Sequence, residues 1–181
     1  MTLKFNSQEL RPAWARDTNP SYLCAITNII KGRSVSRSSF DLDVWLTSFG
    51  VNLQRSFVWT IEQQSAFIES LVYRDTRTIP PLAVAKLDTD PMTYKVIDGK
   101  QRLTTIFNWL EDKVPLHFKR YTLLRSEMPV ELRAWIEGSP IRAYIYYDLD
   151  DTQLIEAFNL INFSGTPQDE SHKVKLLGLI K

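Results

Sequence analysis

The stretch VIDGKQRLTTIF, Val96 to Phe107, sets an acid, a glycine, a lysine, a glutamine and an arginine between two apolar runs. Tyr94 to Ile97 reads as a strand, and Asp98-Gly99 as a turn. Leu103, Ile106, Phe107 and Leu110 then recur at helical spacing. A strand that turns at Asp-Gly straight into a helix fixes one corner of the fold, and the neighbouring segments can be read outward from it.

Upstream, Leu82 to Leu87 reads as a second strand, joined through the turn residues Asp88-Thr89-Asp90-Pro91. Thr78-Ile79-Pro80-Pro81 is expected to be extended, because proline pushes the residue before it out of the helical region. Thr60 opens a helix with Gln63 in the capping-box position and a stripe of Ile61, Ile68, Leu71 and Val72. Phe40, Leu42, Val44 and Leu46 alternate with Asp41, Asp43, Trp45 and Thr47, the period of a half-buried strand. Asp41 and Asp43 then share a face; metal-binding carboxylates fit that placement, and solvent-facing polar positions, the reading adopted, fit it equally.

Downstream, Pro129 starts a helix carrying Val130, Leu132, Trp135 and Ile136, which Gly138-Ser139-Pro140 ends. IRAYIYYDL, from Ile141, reads as a strand, and Asp151 or Thr152 caps a helix through Phe158. NFSGTP breaks that helix, and Glu170 to Ile180 is expected to close the chain helically. The sum is an α+β domain with a small mixed sheet from segments near 40–47, 82–87, 93–97 and 141–147, flanked by helices and followed by a helical C-terminal part.

Residues 1–39 read as an extension to a domain covering 40–181. RPAWARDTNP is irregular and KGRSVSRSS is a basic connector, while Tyr22, Ala25, Ile26, Ile29 and Ile30 predict one short helix. Arg33 and Arg37 are in reach of phosphate in principle, but a solvated loop accounts for them.

Composition bounds the function. Lys plus Arg (22) nearly cancels Asp plus Glu (21), so nucleic-acid binding has to rest on a local patch. The single Cys24 sits in an apolar run and is expected to be a buried, inert thiol. No apolar run approaches the ~20 residues of a membrane span, and no signal peptide is evident, so a soluble cytoplasmic protein is expected. His117 and His172 are far apart and read as surface or packing residues, and no P-loop motif is present.

The Asp98 corner has a chemical use. The first turn of a helix leaves backbone N–H groups unpaired at the positive end of its dipole. Lys100 and Arg102 add charge there, and Gly99 permits close backbone approach, which together describe an anion site suited to phosphate. Asp98 fits beside phosphate if a magnesium ion bridges them, or if it orients water. The plainer alternative is that Asp98 caps the helix while Lys100 and Arg102 are solvated. Gln54-Arg55, before Phe57-Val58-Trp59, is a second Gln-Arg pair at a strand–helix junction. Asn159, Asn162, Ser164 and Gly165 form a third polar cluster around a helix break.

The ordered set QRSFVW, IPPLAV, VIDGKQRLTTIF and AFNLINFSGTPQDE resembles domain-of-unknown-function family 262. Members carry a DGQQR signature, belong to the ParB/sulfiredoxin-like superfamily and include the N-terminal module of GmrSD-type restriction enzymes. The resemblance implies nucleotide hydrolysis with possible DNA nicking, in phage defence. It assigns Asp98, Gln101 and Arg102 catalytic roles, with Asp98 on Mg2+ or another divalent cation. Gln54, Arg55, Gly99, Lys100, Arg102, Asn159 and Asn162 would bind a nucleoside triphosphate. Lys100 stands where the family usually has glutamine, which adds a charge and loses an amide acceptor.

The chain ends without the HNH-like second domain of longer members, so it reads as a standalone module, possibly phage-encoded. A non-catalytic nucleotide-sensing or DNA-binding module is the first alternative, favoured by Lys100. A phage factor acting on a host defence complex by protein contact is the other. Oligomerisation is compatible with all three.

Overall fold

The computed structural model describes residues 21–26, 28, 36–73, 80–87, 93–163, 176 and 178–179. Among these lie the strands β1 (Ser21–Ala25), β2 (Phe40–Asp41), β3 (Trp45–Leu46), β4 (Val51–Asn52), β5 (Leu82–Leu87), β6 (Thr93–Asp98), β7 (Leu116–Phe118), β8 (Tyr121–Leu123) and β9 (Pro140–Tyr147). The helices are α1 (Ile61–Val72), α2 (Lys100–Leu110), α3 (Val130–Glu137) and α4 (Asp151–Phe163). The fold is α+β, built on a five-stranded mixed sheet of order β1-β9-β5-β6-β2. β5 and β6 form the antiparallel pair leading into the Asp98 corner, β5 runs parallel to β9, and β2 runs parallel to β6.

Both faces of this sheet are covered, which explains the unbroken apolar run Leu82-Ala83-Val84-Ala85. Leu82 and Val84 join Tyr94 and Val96 in a core with Ile68 of α1, Leu103 and Phe107 of α2, and Ile136 of α3. Ala83, Ala85 and Ile97 point the other way, into a second core with Leu154, Ile155 and Phe158 of α4 and with Val44, Leu46 and Leu53. Truncating Ile68 or Leu103, each 0% exposed, to alanine is expected to cost about 2–5 kcal/mol.

Local chemistry sets the element ends. Thr60 and Gln63 make the expected capping box: Gln63 N–H donates to Thr60 Oγ1 at 3.3 Å and Thr60 N–H to Gln63 Oε1 at 2.9 Å. Ile61 is nevertheless exposed, and Gln64 and Ser65 are buried in its place. Gln64 Oε1 accepts from Asn108 Nδ2 of α2 at 2.9 Å, and Ser65 Oγ donates to Pro115 O at 2.7 Å, so hydrogen bonds fix how α1 meets α2 and β7. Trp135 Nε1 donates to Val72 O at 2.7 Å and pins α3 to the end of α1.

Four expectations are corrected. Residues 21–25, expected in a helix, form β1, because pairing with β9 overrides the helical period; Ile29 and Ile30 lie outside the described residues. The strand expected over 40–47 breaks after Asp41, whose Oδ1 accepts the Asp43 N–H at 3.1 Å and turns the chain. Its two halves join different sheets, with β3 pairing with β4. Asp150, not Asp151 or Thr152, caps α4: its Oδ1 accepts from Gln153 N–H at 2.8 Å and its N–H donates to Gln153 Oε1 at 3.0 Å. Asp151 instead reaches back to the Ser48 N–H at 2.9 Å, and α4 runs on to Phe163.

The expected turn at Asp88 to Pro91, the extended Thr78 and Ile79, and Arg33, Ser164, Gly165 and His172 lie outside the described residues. Of the closing helix expected from Glu170 to Ile180, only Leu176, Gly178 and Leu179 are described. Among the described residues no helix is long and apolar enough to cross a membrane. Cys24 is buried as expected, and burial pushes its thiol up to about 11.

Candidate functional site

The two Gln-Arg pairs meet. A cleft of about 170 Å³ is lined by Gln54, Arg55, Trp59, Asp98, Gly99, Lys100, Gln101, Arg102, Phe158 and Asn162. β6 delivers Asp98 to its floor, and Gly99 turns the chain into α2 with φ +110°, a backbone region few residues but glycine enter. A Cβ at Gly99 would stand 2.2 Å from Leu82 Cδ2, so both conformation and space require glycine. No side chain among the described residues caps the first turn of α2, so its N–H groups remain the positive end of a helix beside the cleft.

The wall from Gln54 to Thr60 is fastened to that corner by the two glutamines. Gln54 Nε2 donates to Ile97 O at 2.8 Å and also to Val96 O, and so holds the end of β6. Gln101 Oε1 accepts from the N–H groups of Val58 and Trp59 at 2.9 and 3.2 Å, while its Nε2 donates to Ser56 O at 3.2 Å. A glutamine suits this place because its amide offers both an acceptor and a donor. Trp59 packs against Phe67, with ring centroids 5.7 Å apart, and presents its remaining surface to the cleft.

The charges are distributed differently from the reading in which Lys100 and Arg102 are both open to solvent. Lys100 is 9% exposed and its Nζ meets Asp43 Oδ1 at 2.6 Å. The hydrogen bond from Lys100 holds the Asp43 carboxyl below the usual carboxylate range. Arg102 Nη2 lies 2.6 Å from Asp98 Oδ2, and its Nη1 donates to the Pro80 carbonyl. Asp98 therefore pairs with Arg102 and does not cap the helix. Arg55 is the exception: it is exposed and makes no hydrogen bond or ion pair among the described residues.

Asn162 reaches the cleft from α4, its Nδ2 donating to Phe158 O at 3.0 Å. Asn159 does not line it; both side-chain amide atoms are buried without a hydrogen-bond partner among the described residues. Sequence reading missed Phe158 as a cleft wall, assigned Trp59 no place in the site, and did not pair Asp43 with Lys100. Only Trp59 carried a usable signal, being a large aromatic immediately before a helix cap. Among the described residues no group of three or more His, Cys, Asp or Glu side chains is placed to hold a metal ion.

The family model of the GmrSD restriction endonuclease, N-terminal domain, matches residues 52–177, a span that contains every residue lining the cleft. The chain belongs to this family. Comparison with curated proteins and with solved structures gave no match. Membership ties this GmrSD N-terminal domain to restriction-endonuclease-related, defence-associated DNA function.

Proposed function

We propose that the cleft binds the phosphate groups of a nucleoside triphosphate and hydrolyses it within a defence-associated restriction system. The observation that carries this is the free Arg55 guanidinium beside the uncapped first turn of α2. A guanidinium and a helix N-terminus acting on one anion are the usual elements of phosphate recognition. Trp59 supplies an aromatic surface on which a base can rest.

In this reading Gln54 and Gln101 position the wall, and Gly99 lets the ligand approach the backbone. Arg102 orients Asp98, while Lys100 contributes its field from behind its pair with Asp43. A divalent cation such as Mg2+ fits only as an ion carried by the nucleotide, because Asp98 is the one carboxylate lining the cleft among the described residues. Asp98 Oδ1 would complete its coordination, since Oδ2 is committed to Arg102. The ion would supply charge neutralisation on the phosphates. Asn162 is placed to hydrogen-bond a ligand from the opposite wall. DNA, as a second substrate, would be nicked at the same cleft.

A second reading, nucleotide sensing without turnover, is favoured by the Arg102–Asp98 pair, which leaves the cleft without a free general base among the described residues. Incubation with each nucleoside triphosphate and Mg2+ separates the two, with Asp98→Asn as control. Release of phosphate that the variant loses supports hydrolysis; saturable binding without release supports sensing. Absence of both removes the nucleotide reading and leaves a protein-contact role.

A further inference from the structure

We propose that the tip of the β7–β8 hairpin is a contact for single-stranded nucleic acid, independent of the cleft. Lys119 and Arg120 form the turn, with Lys119 at φ 54°, and His117, Lys119, Arg120, Tyr121 and Thr122 are all exposed. Six of the described cations, Arg37, Lys100, Arg102, Lys113, Arg125 and Arg133, each face a carboxylate; Arg55, Lys86, Lys95 and Arg142 form no ion pair among the described residues, but none of these four has a second cation beside it in the sequence. Lys119 and Arg120 face no carboxylate among the described residues.

The tip cations are instead held by rings. Lys119 Nζ lies 5.4 Å from the Phe118 ring centroid and Arg120 Cζ 5.2 Å from that of Tyr121. Arg120 Nη2 also donates to Tyr121 Oη at 3.1 Å. Tyr121 is 49% exposed, and Tyr73, 66% exposed, packs on Phe118 with centroids 6.2 Å apart. Two adjacent cations without acids, interleaved with accessible rings, match a strand of phosphates bearing unstacked bases. An acidic protein surface would use the charges but leave the rings idle. The hairpin follows the C-terminal end of α2, whose eleven residues span about 16 Å from the cleft corner. None of the described hairpin residues lines the cleft.

The test is fluorescence anisotropy of a labelled single-stranded oligodeoxynucleotide, and of a matched duplex, across a series of salt concentrations. The wild-type chain should bind the single strand with a salt slope that becomes shallower by about 1.4 in the double variant Lys119→Ala/Arg120→Ala, about 0.7 per phosphate. Tyr121→Ala should weaken the single strand about fivefold or more and leave the duplex nearly unchanged. No oligonucleotide binding by the wild type, or an unchanged slope in the double variant, overturns the proposal. So does loss of binding to polyglutamate with oligonucleotide binding intact, which would assign the tip to an acidic protein.

Discussion

Arg102 grips Asp98 across the Gly99 corner, Nη2 to Oδ2 at 2.6 Å, while its other amino group donates to the Pro80 carbonyl. One side chain thereby ties the end of β6, the first turn of α2 and the chain entering β5 into a single unit. The most prominent cation of the signature turn is thus part of the frame that shapes the cleft. The remaining free charge lies across the cleft, on Arg55.

Arg102→Ala is accordingly expected to destabilise the fold by about 1–3 kcal/mol, the cost of leaving partly buried hydrogen-bonding groups unpaired. The sequence alone predicts the reverse, loss of ligand with little loss of stability. Urea unfolding with ligand titration on the folded fraction decides between them. A wild-type midpoint together with abolished binding would restore the sequence-based expectation.

Arg55→Ala should behave in the opposite way. With no partner to lose among the described residues, the fold is expected to shift by no more than about 0.5 kcal/mol. Phosphate affinity should fall roughly ten- to hundredfold, the worth of one charge-assisted contact. Calorimetric titration with a nucleoside triphosphate measures it, and undiminished affinity would move the anion site away from the cleft.

Gly99→Ala confronts two costs at once, a backbone at φ +110° and a methyl group 2.2 Å from Leu82 Cδ2. A loss of about 2 kcal/mol or more is expected, with the cleft distorted in whatever folds. Thermal melting and the near-ultraviolet signal of the five tryptophans, Trp59 among them, report both effects. A variant as stable as wild type would show that the corner relaxes freely.

The Lys100–Asp43 pair sets a pH dependence. Because the folded-state pKa of Asp43 is lowered from 3.8, its contribution is present above that value and is lost as pH falls through the lower folded value. Asp43→Asn should remove this part of the acid sensitivity and leave a flatter stability profile in that window. The Asp43 side chain is 74% exposed, so the difference should shrink as salt is raised. Parallel acid profiles for the two proteins would show that Lys100 draws nothing from this partner.

Local patterns reached far into this fold. The Thr60–Gln63 box, the β5 run, and the Asp98-Gly99 corner opening α2 each depend on residues within a few positions, where propensity and capping chemistry act directly. Legibility failed where a distant partner decided the outcome. β1 takes its conformation from β9, and Lys100 finds its carboxylate 57 positions away, separations that no local period encodes. The same limit applied to the site. That the two Gln-Arg pairs approach one another was legible in the ordered motifs. That Gln101 serves the Val58 and Trp59 backbone, and that only one arginine of the two pairs is left free, required the packed chain.

The pairing of β1 with β9 has a consequence for how this molecule is made. β9 has β5 on one side and β1 on the other, so β1 has no neighbour in the sheet until the chain has been synthesised past Tyr147. At roughly 5–20 residues per second the ribosome holds β1 unpaired for several seconds. The β5–β6 hairpin and α2 need no such wait, because their partners emerge together. The nascent protein can therefore form the corner that shapes its cleft before it closes its sheet, and β1 is the last edge to be sealed.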